Sequence, residues 1–105
     1  MYEATRISIV IVMPHYIVLG NYAEQGIRNV KDSVKRDEDA RRMIERAGGK
    51  MQMYYTLGEY DFVAVLEMPS DESLLKFLLQ VGQGGNVRTK TLKAWSEPEA
   101  HKAMS

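Results

Sequence analysis

The chain has 105 residues, 14 Lys plus Arg against 14 Asp plus Glu, and a formal charge of zero. That length holds one domain with a single core, and the even charge argues against nucleic acid as a main partner, because phosphate binding needs a surplus of cations. With no cysteine, disulfides, thiolate chemistry and zinc ribbons are excluded, which fits a reducing cytoplasm.

The N-terminus reads MYEATRISIVIVMPH. Its apolar run, Ile7 to Met13, is far shorter than the roughly 20 residues of a membrane span. It lacks a small-residue cleavage site, and Glu3 weakens the basic region of a signal peptide. The expectation is a soluble, cytoplasmic protein with no membrane partner.

The first strand is HYIVLGNY, residues 15–22, dominated by branched and aromatic side chains. Ile27, Val30 and Val34 then recur at helical spacing. The stripe falters at Asp37, where acids open a second helical signature that runs through Arg41, Arg42 and Arg46 to a stop at Gly48–Gly49. Residues 24–47 therefore read as two short helices or one bent one, with Met43, Ile44 and Ala47 on the buried face. GKMQMYYTLGEYDFVAVLEM reads as a hairpin with strands over 50–57 and 60–68 and a turn at Gly58–Glu59. Pro69 ends it, and Ser70 can cap a helix whose Leu74, Leu75, Leu78 and Leu79 form the stripe. GQGGN breaks that helix, VRTKTLKAW (87–95) is the last strand, and 97–104 can form a short tail helix.

The order β-α-β-β-α-β is that of the α+β, ferredoxin-like fold: a four-stranded antiparallel sheet in order 4-1-3-2 with its helices on one face. Strands one and three are apolar on both faces and strands two and four are not, which places the first pair centrally. Helices cover only one face of such a sheet. A contiguous apolar patch on the other is unusual for a monomer, so a second copy packed about a two-fold axis, a dimeric α/β-barrel type of assembly, is expected to cover it.

HYIVLGNYAEQGIRNVKDSVKR followed by LGEYDFVAVLEMPSDE closely resembles the GYD domain family, small bacterial and archaeal proteins named for a glycine–tyrosine–aspartate signature. The resemblance runs from about Met13 to Trp95. It implies the fold, assigns no activity, and sets residues 1–12 outside a domain of 13–96 followed by a tail at 97–105. The extension is either an upstream in-frame addition, with Met13 as the natural start, or an added strand. A looser similarity is to the effector-binding domain of the Lrp/AsnC regulators, which has a comparable hairpin and a Gly-Val strand rich in threonine, here GGNVRTKT. That likeness implies an oligomeric module that binds amino acids near the hairpin and at subunit contacts. The DNA-reading helix-turn-helix of those regulators is absent from this chain.

Candidate residues follow from these placements. Gly58 permits the positive φ of a tight turn. Asp61 can accept backbone N–H bonds around it while Tyr60 packs at the strand mouth, or Asp61 can face a pocket, bind an ammonium or act as a base. Arg28 and Lys31 share a helix face and could hold an anion, or could be solvated and paired with Glu24 and Asp32. His15 and His101 are the only histidines, and neither has a metal-site pattern around it. Asn21, Trp95 and His15 are residue types used by barrel enzymes of this fold, an analogy from fold alone. The glycines of GQGGN end a helix where a phosphate loop would open one.

The favoured reading is a non-enzymatic homo-oligomer without a cofactor. It would hold a small metabolite at a subunit contact lined by Tyr60, Asp61, Asn86 and Arg88, with Tyr22, Arg28 and His15 as further ligand-binding candidates. Its rivals are a cofactor-independent barrel enzyme using Asp61, Tyr22 or His15 as acid–base groups, and a purely structural oligomer.

Overall fold

The computed structural model describes residues 13–105, so the expectations for residues 1–12 lie outside the described residues. The elements are β1 (His15–Tyr22), α1 (Glu24–Arg28), a 3-10 turn (Val30–Asp32), α2 (Ser33–Arg46), β2 (Lys50–Tyr55), β3 (Phe62–Glu67), α3 (Asp71–Gln83), β4 (Val87–Ala94) and α4 (Glu97–Met104). The sheet is antiparallel in order β2-β3-β1-β4, so the two strands that are apolar on both faces are the central ones. None of the described helices is long and apolar enough to cross a membrane.

Register decides which residues share a face. Tyr16 pairs with Leu66, Val18 with Ala64 and Gly20 with Phe62, while Met51 and Met53 of β2 stand opposite Leu66 and Ala64. Of these, Tyr16, Val18, Ala64 and Leu66 form one core with Ile44 of α2, Leu74 of α3 and Met68, and Met51 packs against it. Ile44, Leu66 and Met68 are fully buried. The tyrosine of this core is paired as burial requires: Tyr16 donates its hydroxyl to Asp71 at the start of α3, and Lys93 of β4 reaches the same carboxylate at 3.1 Å. Burial, then the bond to Asp71 and the charges of Asp71 and Glu72, push the Tyr16 phenol up from 10.0 to about 12. The Tyr16 and Lys93 bonds hold Asp71 below the usual carboxylate range.

Helix ends follow local chemistry. Ser70 and Ser73 form a capping box on α3, and Ser96 and Glu99 form another on α4, which also carries a proline in its first turn. Segment 24–46 is two helices joined by a 3-10 turn. The first docks through its small residue: a Cβ on Gly26 would lie 1.9 Å from the Asn86 carbonyl oxygen, so backbone meets backbone there. The predicted stripe does not face the sheet: Ile27 on α1, Val30 in the 3-10 turn and Val34 in the first turn of α2 are 54%, 42% and 71% exposed.

Other expectations need correction. The strand expected over 50–57 ends at Tyr55, so Leu57 lies in the hairpin loop and is fully exposed. Ala47 is exposed because it sits at the C-cap of α2, past the turn that carries Ile44. Leu75 and Leu79 face outward while Leu74 is buried and Leu78 packs beside the core. The third helix also runs on through Gly82 and Gln83 before it ends.

Candidate functional site

The glycine–tyrosine–aspartate segment lies at the C-terminal end of β1. Gly58 adopts φ +114° at the tip of the hairpin, a value that side chains rarely take. Thr56 closes the loop from the other side, its N–H donating to the Asp61 carbonyl at 3.0 Å and its hydroxyl to the Tyr60 carbonyl at 2.6 Å. Asp61 then ties the loop to the sheet in two ways. Its backbone N–H donates to Gly20 O at 2.8 Å, and its Oδ2 accepts the Tyr22 N–H at 2.8 Å. Asn21 adds a third tie by donating its side-chain amide to Glu59 O at 2.9 Å. Arg88 stands opposite Asn21 on β4, exposed on the sheet face that α2 and α3 leave open.

Tyr22 points the other way, to the helix side, where its ring meets Phe62 edge-on at 6.0 Å. It opens onto a cavity of about 240 Å3 between the sheet and the two long helices. Most of its lining is apolar, with Met43, Met51, Met53, Phe77 and Leu78 among the side chains, and Tyr22, Arg36, Asp37, Asp39 and Asn86 are among the polar ones. Hydrogen bonds hold several of these groups from behind. Tyr22 Oη and Ser33 Oγ are 3.1 Å apart, Arg36 donates to Ser33 Oγ and to Asn29 O at 3.1 Å each, and Tyr55 donates to Asp37. Burial, the bonds to Asp37 and Tyr22, and their charges raise the Tyr55 phenol well above its ordinary value. Asp39 is answered from outside by Lys35 at 3.3 Å and Arg42 at 3.1 Å.

The structure thus separates the sequence candidates. Tyr60, Asp61 and Arg88 share the end of β1, with Tyr22 and Asn86 on the helix side. Asn86 accepts from Gln25 through its side chain at 3.0 Å and from Ala23 N–H through its carbonyl at 2.9 Å, which anchors α1. Arg28 pairs with Glu24 at 3.0 Å on an exposed helix face. His15 is at the far end of β1, seven residues and so roughly 23 Å from Tyr22 along an extended strand. There its ring nitrogens lie 4.0 Å from Glu67 and 3.8 Å from Glu99. His15 and Tyr22 therefore cannot act on one reacting atom. Trp95 is 63% exposed. Among the described residues, no three His, Asp or Glu side chains converge as a metal site would require.

The cluster of Ser33, Arg36, Asp37 and Tyr55 was not singled out from the sequence. A signal was present: Ser33, Arg36 and Asp37 recur at i, i+3 and i+4, so polar groups occupy one face of α2 where it approaches the inner face of β2.

The chain matches the GYD domain over residues 16–104. It belongs to the GYD domain family. The match includes α4 as well as the sheet and its two covering helices. The chain is also similar to a Thermus thermophilus protein named "Glutamine synthetase and cystathionine beta-lyase binding protein", with 31% identity over 84 residues, covering 78% of this chain and 88% of that one. No solved structure matches it.

Proposed function

We propose that this GYD protein is a non-enzymatic, homo-oligomeric binding module that docks on metabolic enzymes, with glutamine synthetase and cystathionine beta-lyase as the first partners to test. The observation that carries this reading is the likeness to a protein named for binding those two enzymes, over 88% of that protein's length.

The sheet supports self-association. Ile17 and Leu19 of β1 and Val63 and Val65 of β3 form a half-buried apolar strip on the face away from α2 and α3, flanked by Tyr54 and Leu92, which are 55% and 52% exposed. A second copy of the same strip, packed about a two-fold axis, removes it from water. Tyr60, Asp61 and Arg88 stand at the rim of that contact with Asn86 behind them, so a small metabolite bound there would meet Tyr60 and Arg88.

Sedimentation equilibrium of the full chain, alone and with each purified enzyme from the same source, tests both halves. The expected results are a dimer or larger oligomer and a mixed complex with at least one of the two enzymes. Val65→Glu places a charge at the centre of the strip, leaves the helix-side core untouched, and should shift the protein to monomer. A wild-type monomer with no affinity for either enzyme would refute the reading.

A further inference from the structure

The cavity under α2 and α3 has a chemistry that the docking reading does not use. It is apolar in depth, and its three methionines let the lining adapt to an occupant. Its size is just below the ~300 Å3 at the low end of drug-sized ligand sites, which suits a smaller molecule. A cation and an anion consecutive on α2, Arg36 and Asp37, are both half-buried and both line the cavity.

Neither charge is fully engaged by the described residues. Arg36 uses two of its five N–H donors, on Asn29 O and Ser33 Oγ. Asp37 uses Oδ2 for the Tyr55 hydroxyl, which leaves Oδ1 as an acceptor. The remaining acid at the rim, Asp39, is held by Lys35 and Arg42. A ligand with one charge therefore meets one attraction and one repulsion here. A lone carboxylate would gain Arg36 and sit beside Asp37, and a lone amine the reverse. A ligand carrying both charges on neighbouring atoms, with an apolar body for the Met-lined depth, satisfies the whole site.

We infer that the cleft between the sheet and helices α2 and α3 binds an apolar α-amino acid. Its carboxylate lies on Arg36, its ammonium on Asp37, and its side chain among Met43, Met51, Met53 and Phe77. The site lies on the helix side of the sheet and so stands apart from the strip proposed for self-association.

The test is calorimetric titration of the full chain with L-leucine, L-methionine and L-phenylalanine at millimolar concentrations. The deaminated acid and the decarboxylated amine of whichever binds are then titrated in turn. At least one amino acid should bind saturably, and its acid and amine should bind about tenfold more weakly or worse, since each lacks one charge-assisted contact. Asp37→Asn keeps the shape of the site, and it should weaken binding by a similar factor. Arg36→Gln should do the same, with circular dichroism as a check that α2 persists without the Asn29 contact. Ala40→Phe leaves both charges in place and fills the apolar depth, and it should abolish binding. The inference is overturned if none of the three amino acids binds, if the acid or the amine binds as well as the zwitterion, or if the folded Asp37→Asn and Ala40→Phe variants bind like the wild type. Enzyme docking is measured separately, so either reading can fail without the other.

Discussion

Replacing Asp61 by alanine tests whether the family's aspartate holds the hairpin to the sheet. The substitution keeps the backbone bond from Asp61 N–H to Gly20 O and removes the one from Tyr22 N–H to the carboxylate, 2.8 Å long. A hydrogen bond to a charged group contributes about 1.5–3 kcal/mol, and a donor left unpaired adds its own desolvation cost. The bond is only part-buried, so water recovers some of that loss, and we expect about 2 kcal/mol of destabilisation. Asparagine keeps an acceptor without the charge and should lose about half as much. For a domain of this length, each kcal/mol moves the melting midpoint by about 4–8 °C, so the alanine variant should melt roughly 10 °C lower. Urea unfolding and thermal melts give the energy. Hydrogen exchange at the Tyr22 amide gives the location, since that amide should lose protection in Asp61→Ala while the amides of Val18 and Leu66 keep theirs. An alanine variant that melts within about 2 °C of wild type, with the Tyr22 amide still protected, would refute the anchoring role.

Two further substitutions probe the packing around the site. The Tyr16 phenol is raised from 10.0 to about 12 by burial and by Asp71. A raised value in the folded state contributes fully below pH ~10 and is lost as pH climbs through ~12, a loss of about 2–3 kcal/mol. Tyr16→Phe should therefore make the alkaline limb of the stability–pH profile measured by urea unfolding shallower, with the raised Tyr55 phenol keeping part of it, and a limb that stays unchanged would place its origin elsewhere. Gly26→Ala would put a Cβ 1.9 Å from a backbone oxygen, which no rotamer change relieves. It should destabilise by about 1–3 kcal/mol as α1 lifts from the Asn86 turn, and an unaffected denaturation midpoint would show that α1 is not seated there.

Much of this architecture could be read in the residues because it follows from local patterning. Strand β1 and the central places of β1 and β3 follow from which strands are apolar on two faces, and the sheet order agrees. Ser70 as the cap of α3 needs only nearest-neighbour chemistry. The failures occur where a neighbour distant in sequence decides. Ile27, Val30 and Val34 have helical spacing yet are exposed: α1 makes its contact through Gly26 and Gln25 with the turn at Gly84–Asn86, and the 3-10 turn breaks the helical period, so that α2 buries Ser33 and Ile44 instead of Val34. Leu57 has strand spacing, but the pairing ends with the Thr56 N–H to Asp61 O bond, and the leucine beyond it lies in the exposed loop.

The candidate sites divide along the same line. The special residues of the hairpin, Gly58, Tyr60 and Asp61, stand out in sequence, because a positive φ and a carboxylate at a strand mouth are local anomalies. Only the tertiary structure shows that the Asp61 carboxylate reaches Tyr22, 39 positions away in sequence. The cavity has no comparable signature, since its methionines read as ordinary core and Arg36 and Asp37 as ordinary helix surface. Alternation and capping are encoded over a few residues, so the sequence by itself determined the order of elements, the central strands and the apolar face that α2 and α3 leave open. A cavity is the space left between elements after they dock. Its size and lining depend on the helix positions and the strand register together, and only the folded chain decides those.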